Sequence, residues 1–140
     1  MFVSLNNVSL LKERAETLQG RKYDLIVRAR PDLGLVAPLD LTQCHPDKVT
    51  APNYNWHGHG YTICDMMGIG SSDVMSKYAS VSKNASELIK HISFHPETLL
   101  AYNLHTYGIP IHRAPWICTN RSDSYKTTDN MLRVPFGRWE

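Results

Sequence analysis

The chain has 140 residues, of which 42% are hydrophobic and 20% charged, which fits one soluble domain able to bury a core without disulfide or metal staples. Its 15 basic residues are scattered and nearly balanced by 13 acidic ones, for a net charge of +2, which excludes nucleic-acid binding by bulk electrostatics. Three cysteines with no CxxC pair argue against a disulfide framework and for a reducing, cytoplasmic setting, and no apolar run approaches the ~20 residues that span a bilayer.

In chain order, 4–19 reads as a helix. Leu5, Val8, Leu11, Ala15 and Leu18 fall near one face, expected to be the buried one, and Gly20 is a stop. Residues 23–27 read as a short buried strand that ends in Arg28-Ala29-Arg30, because Pro31 has no amide to donate and forces Arg30 extended. Leu33 to Val36 continues extended, a loop lies between Pro38 and Pro46, and Val49 to Ala51 is a brief strand. The polar, aromatic, Gly-rich run from Asn53 to Gly60 reads as a loop. Tyr61 to Ile69 suits a central strand, with Gly68 and Gly70 permitting close backbone approach.

Ser71 or Ser72 caps the next helix, whose stripe is Val74, Met75, Tyr78 and Ala79. A short helix is expected over 84–92, capped by Asn84 or Ser86. Pro96 to Tyr107 has the clearest helix signals: Pro96 at its start, Glu97 at the positive end, Gly108 at its exit, and Leu100, Leu104 and Tyr107 inward. Residues 109–111 and 116–118 read as short strands, and 119–140 as an irregular tail. The order predicts a single α/β domain over 1–118, a small mixed sheet flanked by helices.

Four stretches carry chemistry. Arg28, Arg30 and Asp32 cluster where an apolar strand stops, and ligands of open α/β sheets bind at the carboxyl ends of strands. Arg28 and Arg30, two apart, share a strand face and offer forks for phosphate oxygens, while Asp32 suits a metal or a sugar hydroxyl. The competing reading is that Asp32 pairs with one of the arginines to close the strand end. Gly68-Ile69-Gly70-Ser71-Ser72-Asp73 leads a strand into a helix and offers an anion the helix N-terminus, but it is neither a Walker loop nor GxGxxG, and a plain capped turn is the better reading.

Trp56, His57 and His59 suit a binding loop, in which the indole stacks on the apolar C–H face of a sugar. His57 and His59 with Cys64 also make a zinc-stabilised interaction protein conceivable, although nothing fixes a fourth ligand. Asp65 and Glu97 are carboxylates suited to accepting a proton from an alcohol, and Glu97 equally suits a plain helix start.

Three of these segments resemble, in order, glycosyltransferases of polysaccharide and lipopolysaccharide biosynthesis of the WavE-like type. Tyr23 to Leu33, YDLIVRARPDL, is similar to their YDLIIRxRPDL. Asp65 to Tyr78, DMMGIGSSDVMSKY, is similar to DxFAxGSSDxMxxY. Pro96 to Ile109 follows PExLLxxxLxxxGI. The resemblance covers roughly 5–115 and implies the C-terminal portion of a GT-A-like fold that transfers a sugar from a nucleotide-sugar donor to a glycan acceptor. It further implies that Arg28, Arg30 and Asp32 lie at the donor phosphate, and that Asp65 and Glu97 line the acceptor side. It implies a divalent manganese or magnesium ion on the donor diphosphate, held in many such enzymes by Asp-x-Asp. Here the pattern is Arg30-Pro31-Asp32, so only Asp32 matches a metal carboxylate, and Arg30 stands where the first would be. The chain starts almost at the family's first helix, so the expectation is a form lacking the N-terminal part, whose missing strands a homodimer or partner chain supplies. A noncatalytic carbohydrate- or nucleotide-binding module is the alternative.

Overall fold

The computed structural model describes residues 2–35, 37–53, 62–116 and 118–120. Among them the chain is mixed α/β. Helix α1 (Phe2–Gln19) leads to strand β1 (Ile26–Ala29), β2 (Leu33–Leu35), a 3-10 turn at Leu41–Gln43, β3 (Val49–Pro52) and β4 (Met67–Gly70). Helices α2 (Ser72–Ala79), α3 (Val81–Leu88) and α4 (Pro96–Thr106) follow, then β5 (Ile111–Ala114) and β6 (Cys118–Asn120). One sheet has the order β1-β4-β3-β5, and β2 pairs with β6 in a second. Strand β4 is antiparallel to both neighbours and β3 is parallel to β5, so β1, β3 and β5 run the same way. Their carboxyl ends share one border of the sheet, and the chain enters β4 from that border.

Alternation divides the sheet into two apolar layers. Val49 and Ala51 of β3 join Val74, Tyr78, Leu99 and Leu104 of the helices, and Ile26 packs against them. On the opposite face Met67 and Ile69 of β4 gather with Cys64, Met66, Ala114 and Trp116, and Leu25, Leu33, Leu39 and Cys44 close over them. Gly68 and Gly70 let α2 settle on the sheet. A Cβ at Gly68 would lie 3.0 Å from the Tyr78 ring, and one at Gly70 2.9 Å from the Lys48 carbonyl. Both expected helix exits are left-handed glycines, Gly20 at φ 67° and Gly108 at φ 64°.

Several boundaries differ from the sequence expectation for identifiable reasons. Strand β1 begins at Ile26 rather than Tyr23 because the Tyr23 amide donates to Glu16 Oε1 at 2.9 Å, and it runs on to Ala29, the ladder being continued by Arg30 N–H to the Met66 carbonyl at 2.9 Å. The strand expected over 61–69 forms only from Met67. Before it, backbone groups are taken elsewhere: the Ile63 amide donates to the Glu97 carbonyl, Arg113 Nη2 donates to the Thr62 carbonyl at 2.7 Å, and Arg28 donates to the Asp65 carbonyl. Helix α3 starts at Val81, so Asn84 is inside it and not a cap; its amide donates to Asn103 Oδ1 at 2.8 Å and to Tyr107 Oη at 3.0 Å. Leu99, Leu100 and Leu104 form the inner face of α4 while Tyr107 is exposed. Pairing of β6 with β2 carries regular structure to Asn120, two residues into the expected irregular tail.

The largest correction concerns α1. Of the five apolar residues expected to face inward, Leu5 alone is buried, and Val8, Leu11 and Leu18 are exposed. The helix packs instead through a polar pair. Lys12 Nζ donates to Ser72 Oγ at 2.6 Å, Ser76 Oγ at 2.7 Å and the Ser72 carbonyl at 3.1 Å, and lies 3.4 Å from Glu16 Oε2. Burial pushes the Glu16 carboxyl up, but hydrogen bonds from Ser72, the Tyr23 amide and Lys12 outweigh it and hold its pKa below the usual value.

Candidate functional site at the carboxyl ends of the sheet

Pro31 follows β1 and holds Arg30 extended just past the strand, while Arg28 within the strand lies beside Tyr78. Arg30 forms a forked pair with Asp32: Nε donates to Oδ1 at 2.8 Å and Nη2 to Oδ2 at 2.6 Å. Its remaining nitrogen, Nη1, lies 3.5 Å from Asp65 Oδ2. The hydrogen bond from Arg30 holds the Asp32 carboxyl below the usual carboxylate value, and the same bond raises Arg30. Arg28 binds the main-chain carbonyl of Asp65. Asp65, 8% exposed, is thus gripped by Arg28 at its backbone and faced by Arg30 at its side chain.

Arg30 and Asp32, expected as neighbours at the strand end, are joined by Asp65, which was expected apart from them and lies far along the chain. The pairing of Asp32 with an arginine, the simpler alternative, is thus present. Glu97 stands in the first turn of α4, whose N-terminus has Pro96 at the first helical position. The contact of its carbonyl with the Ile63 amide, 3.4 Å, brings that turn to the same border of the sheet. Trp56, His57 and His59 lie outside the described residues, and with them the loop expected at 53–60 apart from Asn53. Cys64, the third member of the zinc alternative, is buried at 1% exposure in the layer of Met67 and Trp116.

Two further residues belong here. Tyr78, expected only as core, places its fully buried ring under Gly68. Burial drives its phenol pKa far up, against a smaller opposing pull from the Arg28 guanidinium beside it, so the hydroxyl stays protonated. Arg113 reaches from β5 to hold Thr62. Its signal was present in the sequence: Arg113-Ala114-Pro115 repeats the arginine-before-proline strand ending of Arg28 to Pro31. Arginines from β1 and β5 therefore clamp the segment 62–65 by its carbonyls.

The expected capped turn into α2 lacks its side-chain cap bond: Ser71 at the cap makes none, and Ser72, 2% exposed, is engaged by Lys12. Among the described residues no group of three or more His, Cys, Asp or Glu side chains converges as a metal centre, and no helix is long and apolar enough to cross a membrane. Comparison with protein-family models, curated proteins and solved structures finds no match, so the site's geometry and the residues that build it carry the functional reading.

Proposed function

We propose that this chain is a glycosyltransferase-like domain of surface-polysaccharide synthesis, the C-terminal portion of a GT-A-like fold, that binds the diphosphate of a nucleotide-sugar donor through Arg28 and Arg30. The observation that supports this most is the Arg30 fork, already set on a carboxylate at the carboxyl ends of three co-directional strands. A phosphate presents the same pair of oxygens with more charge. The Asp32 side chain is 36% exposed, and solvent screens such an ion pair, so a donor phosphate displaces it at little cost.

A divalent manganese or magnesium ion on Asp32 is not part of this reading, because among the described residues no group of three or more His, Cys, Asp or Glu side chains gathers with Asp32 to hold one. Arg30 stands in the place of the ion, and the arginines neutralise the charge that gathers on the leaving diphosphate. Asp65 holds Arg30 in position on the acceptor side. Glu97, at the same border, is the group assigned to accept the acceptor hydroxyl's proton. Trp56, His57 and His59 are assigned to the sugar.

One observation favours a second reading, a noncatalytic carbohydrate- or nucleotide-binding module: Arg30 faces both Asp32 and Asp65, which makes a stable clasp without any reaction. Incubation with a panel of nucleotide sugars and glycan acceptors separates the two. The transferase reading predicts release of nucleoside diphosphate that Glu97→Gln lowers by about a hundredfold or more; binding with no release supports the module.

A further inference from the structure

The helix α1 is turned inside out with respect to its own apolar pattern. Val8, Leu11 and Leu18 are 60%, 65% and 80% exposed, and Val3 and Leu10 join them at 70% and 47%. Exposed apolar area of this extent on one element marks a surface that is covered in use. The charges on the helix are sorted as well. Glu13 is exposed, but its Oε1 accepts from Ser76 of α2 at 3.1 Å, and Glu16 is buried beside Lys12, so neither acid lies on the side of Val3, Leu10 and Leu18. Arg14 is exposed and stands one turn from Leu10 and Leu18, on their side of the helix, and Arg21 is exposed at the helix exit.

We infer that this outward face of α1 rests on an anionic lipid surface, its leucines and valines in the headgroup boundary and Arg14 and Arg21 on the lipid phosphates. A helix with an apolar, cationic outer face lies in the membrane plane without spanning it. Charge decides against a second copy of the chain as occupant: two such faces set together would bring arginine toward arginine, with no acid between them. The inference does not rest on the donor-site reading, since α1 packs on α2 and α3 and holds none of the Arg28, Arg30, Asp32 and Asp65 cluster.

Co-sedimentation of the full chain with vesicles tests it. Vesicles of phosphatidylcholine mixed with phosphatidylglycerol are expected to bind at least about tenfold more protein than phosphatidylcholine alone. The double variant Leu11→Glu/Leu18→Glu, at exposed positions that leave the core intact, is expected to lose about tenfold or more of that binding. As a second readout, Leu11→Trp is expected to show emission shifted to the blue on the mixed vesicles, after subtraction of the parent spectrum. Failure to bind the mixed vesicles, or binding unchanged in the double variant, overturns the inference. So does a dimer in sedimentation velocity that the double variant splits, which assigns the face to a second copy.

Discussion

Arg30 illustrates how a single side chain ties together two carboxylates that are distant in sequence, Asp32 and Asp65. Its fork to Asp32 depends on charge at both ends, and Asp32 is held below the usual carboxylate value by that bond. The stabilisation from the pair is therefore complete above the unfolded carboxyl's ordinary pKa of about 4 and is lost as pH falls through the lowered folded value. Urea denaturation of the parent and of Asp32→Asn as a function of pH is expected to show a flatter acid limb for the variant; identical limbs would mean that the pair contributes nothing. Tyr78 is the opposite case, with a buried hydroxyl that makes no hydrogen bond of good geometry. Removing such a group costs little, so Tyr78→Phe is expected to change unfolding stability by less than about 1 kcal/mol. A large loss would show that the hydroxyl holds Arg28. Gly70→Ala is expected to be far worse, by about 1–3 kcal/mol, because the new methyl meets the rigid carbonyl of Lys48 at 2.9 Å. At this scale the Arg28 to Asp32 cluster was legible from a run of charges at a proline-terminated strand. The arrival of Asp65 was not, since a contact between distant positions leaves no local periodicity to read.

Among the elements, α1 and β4 show what local pattern leaves open. The period of α1 predicted a helix and Gly20 predicted its end, yet the apolar face chosen from that period is the one left outside. Its packing is decided by what α2 presents. Ser72 and Ser76 offer oxygen atoms to Lys12, and this match lies in neither helix taken alone. Two substitutions check the orientation by urea unfolding. Leu5→Ala is expected to cost about 2–3 kcal/mol as a buried deletion, and Leu11→Ala less than about 0.5 kcal/mol as an exposed one. The reverse order would restore the face expected from the sequence. Lys12→Met leaves Glu16 buried beside an apolar chain and is expected to cost roughly 2 kcal/mol. Before and within β4 the run 61–69 read as strand throughout, but the part at 62–65 is drawn out of the ladder by the side chains of Arg28 and Arg113. Apolar content reports burial, and burial is what 62–70 have in common whether or not they are strand.

For the molecule as a whole, a small mixed sheet flanked by helices was predictable from the alternation of short apolar runs and capped helices. The strand order was not: β4 enters between β1 and β3, and only that insertion carries 62–65 along the border where β1, β3 and β5 end. This topology makes the candidate site, because it sets the arginines of β1, the carboxylate of Asp65 and the start of α4 on one side of the sheet. In the proposed function, Arg30 holds the donor diphosphate and Asp32 keeps its place until the donor arrives. The most direct measurement is the melting temperature of the purified chain, of Arg30→Ala and of Asp32→Ala against nucleoside diphosphates and nucleotide sugars, with and without manganese. A ligand that binds the folded form alone raises the melting temperature with its occupancy. Donor binding at Arg30 is expected to give a shift for one nucleotide that needs no manganese, disappears in Arg30→Ala and survives or grows in Asp32→Ala, where the fork is released. No shift at millimolar nucleotide, or a manganese-dependent shift lost in Asp32→Ala, would contradict it.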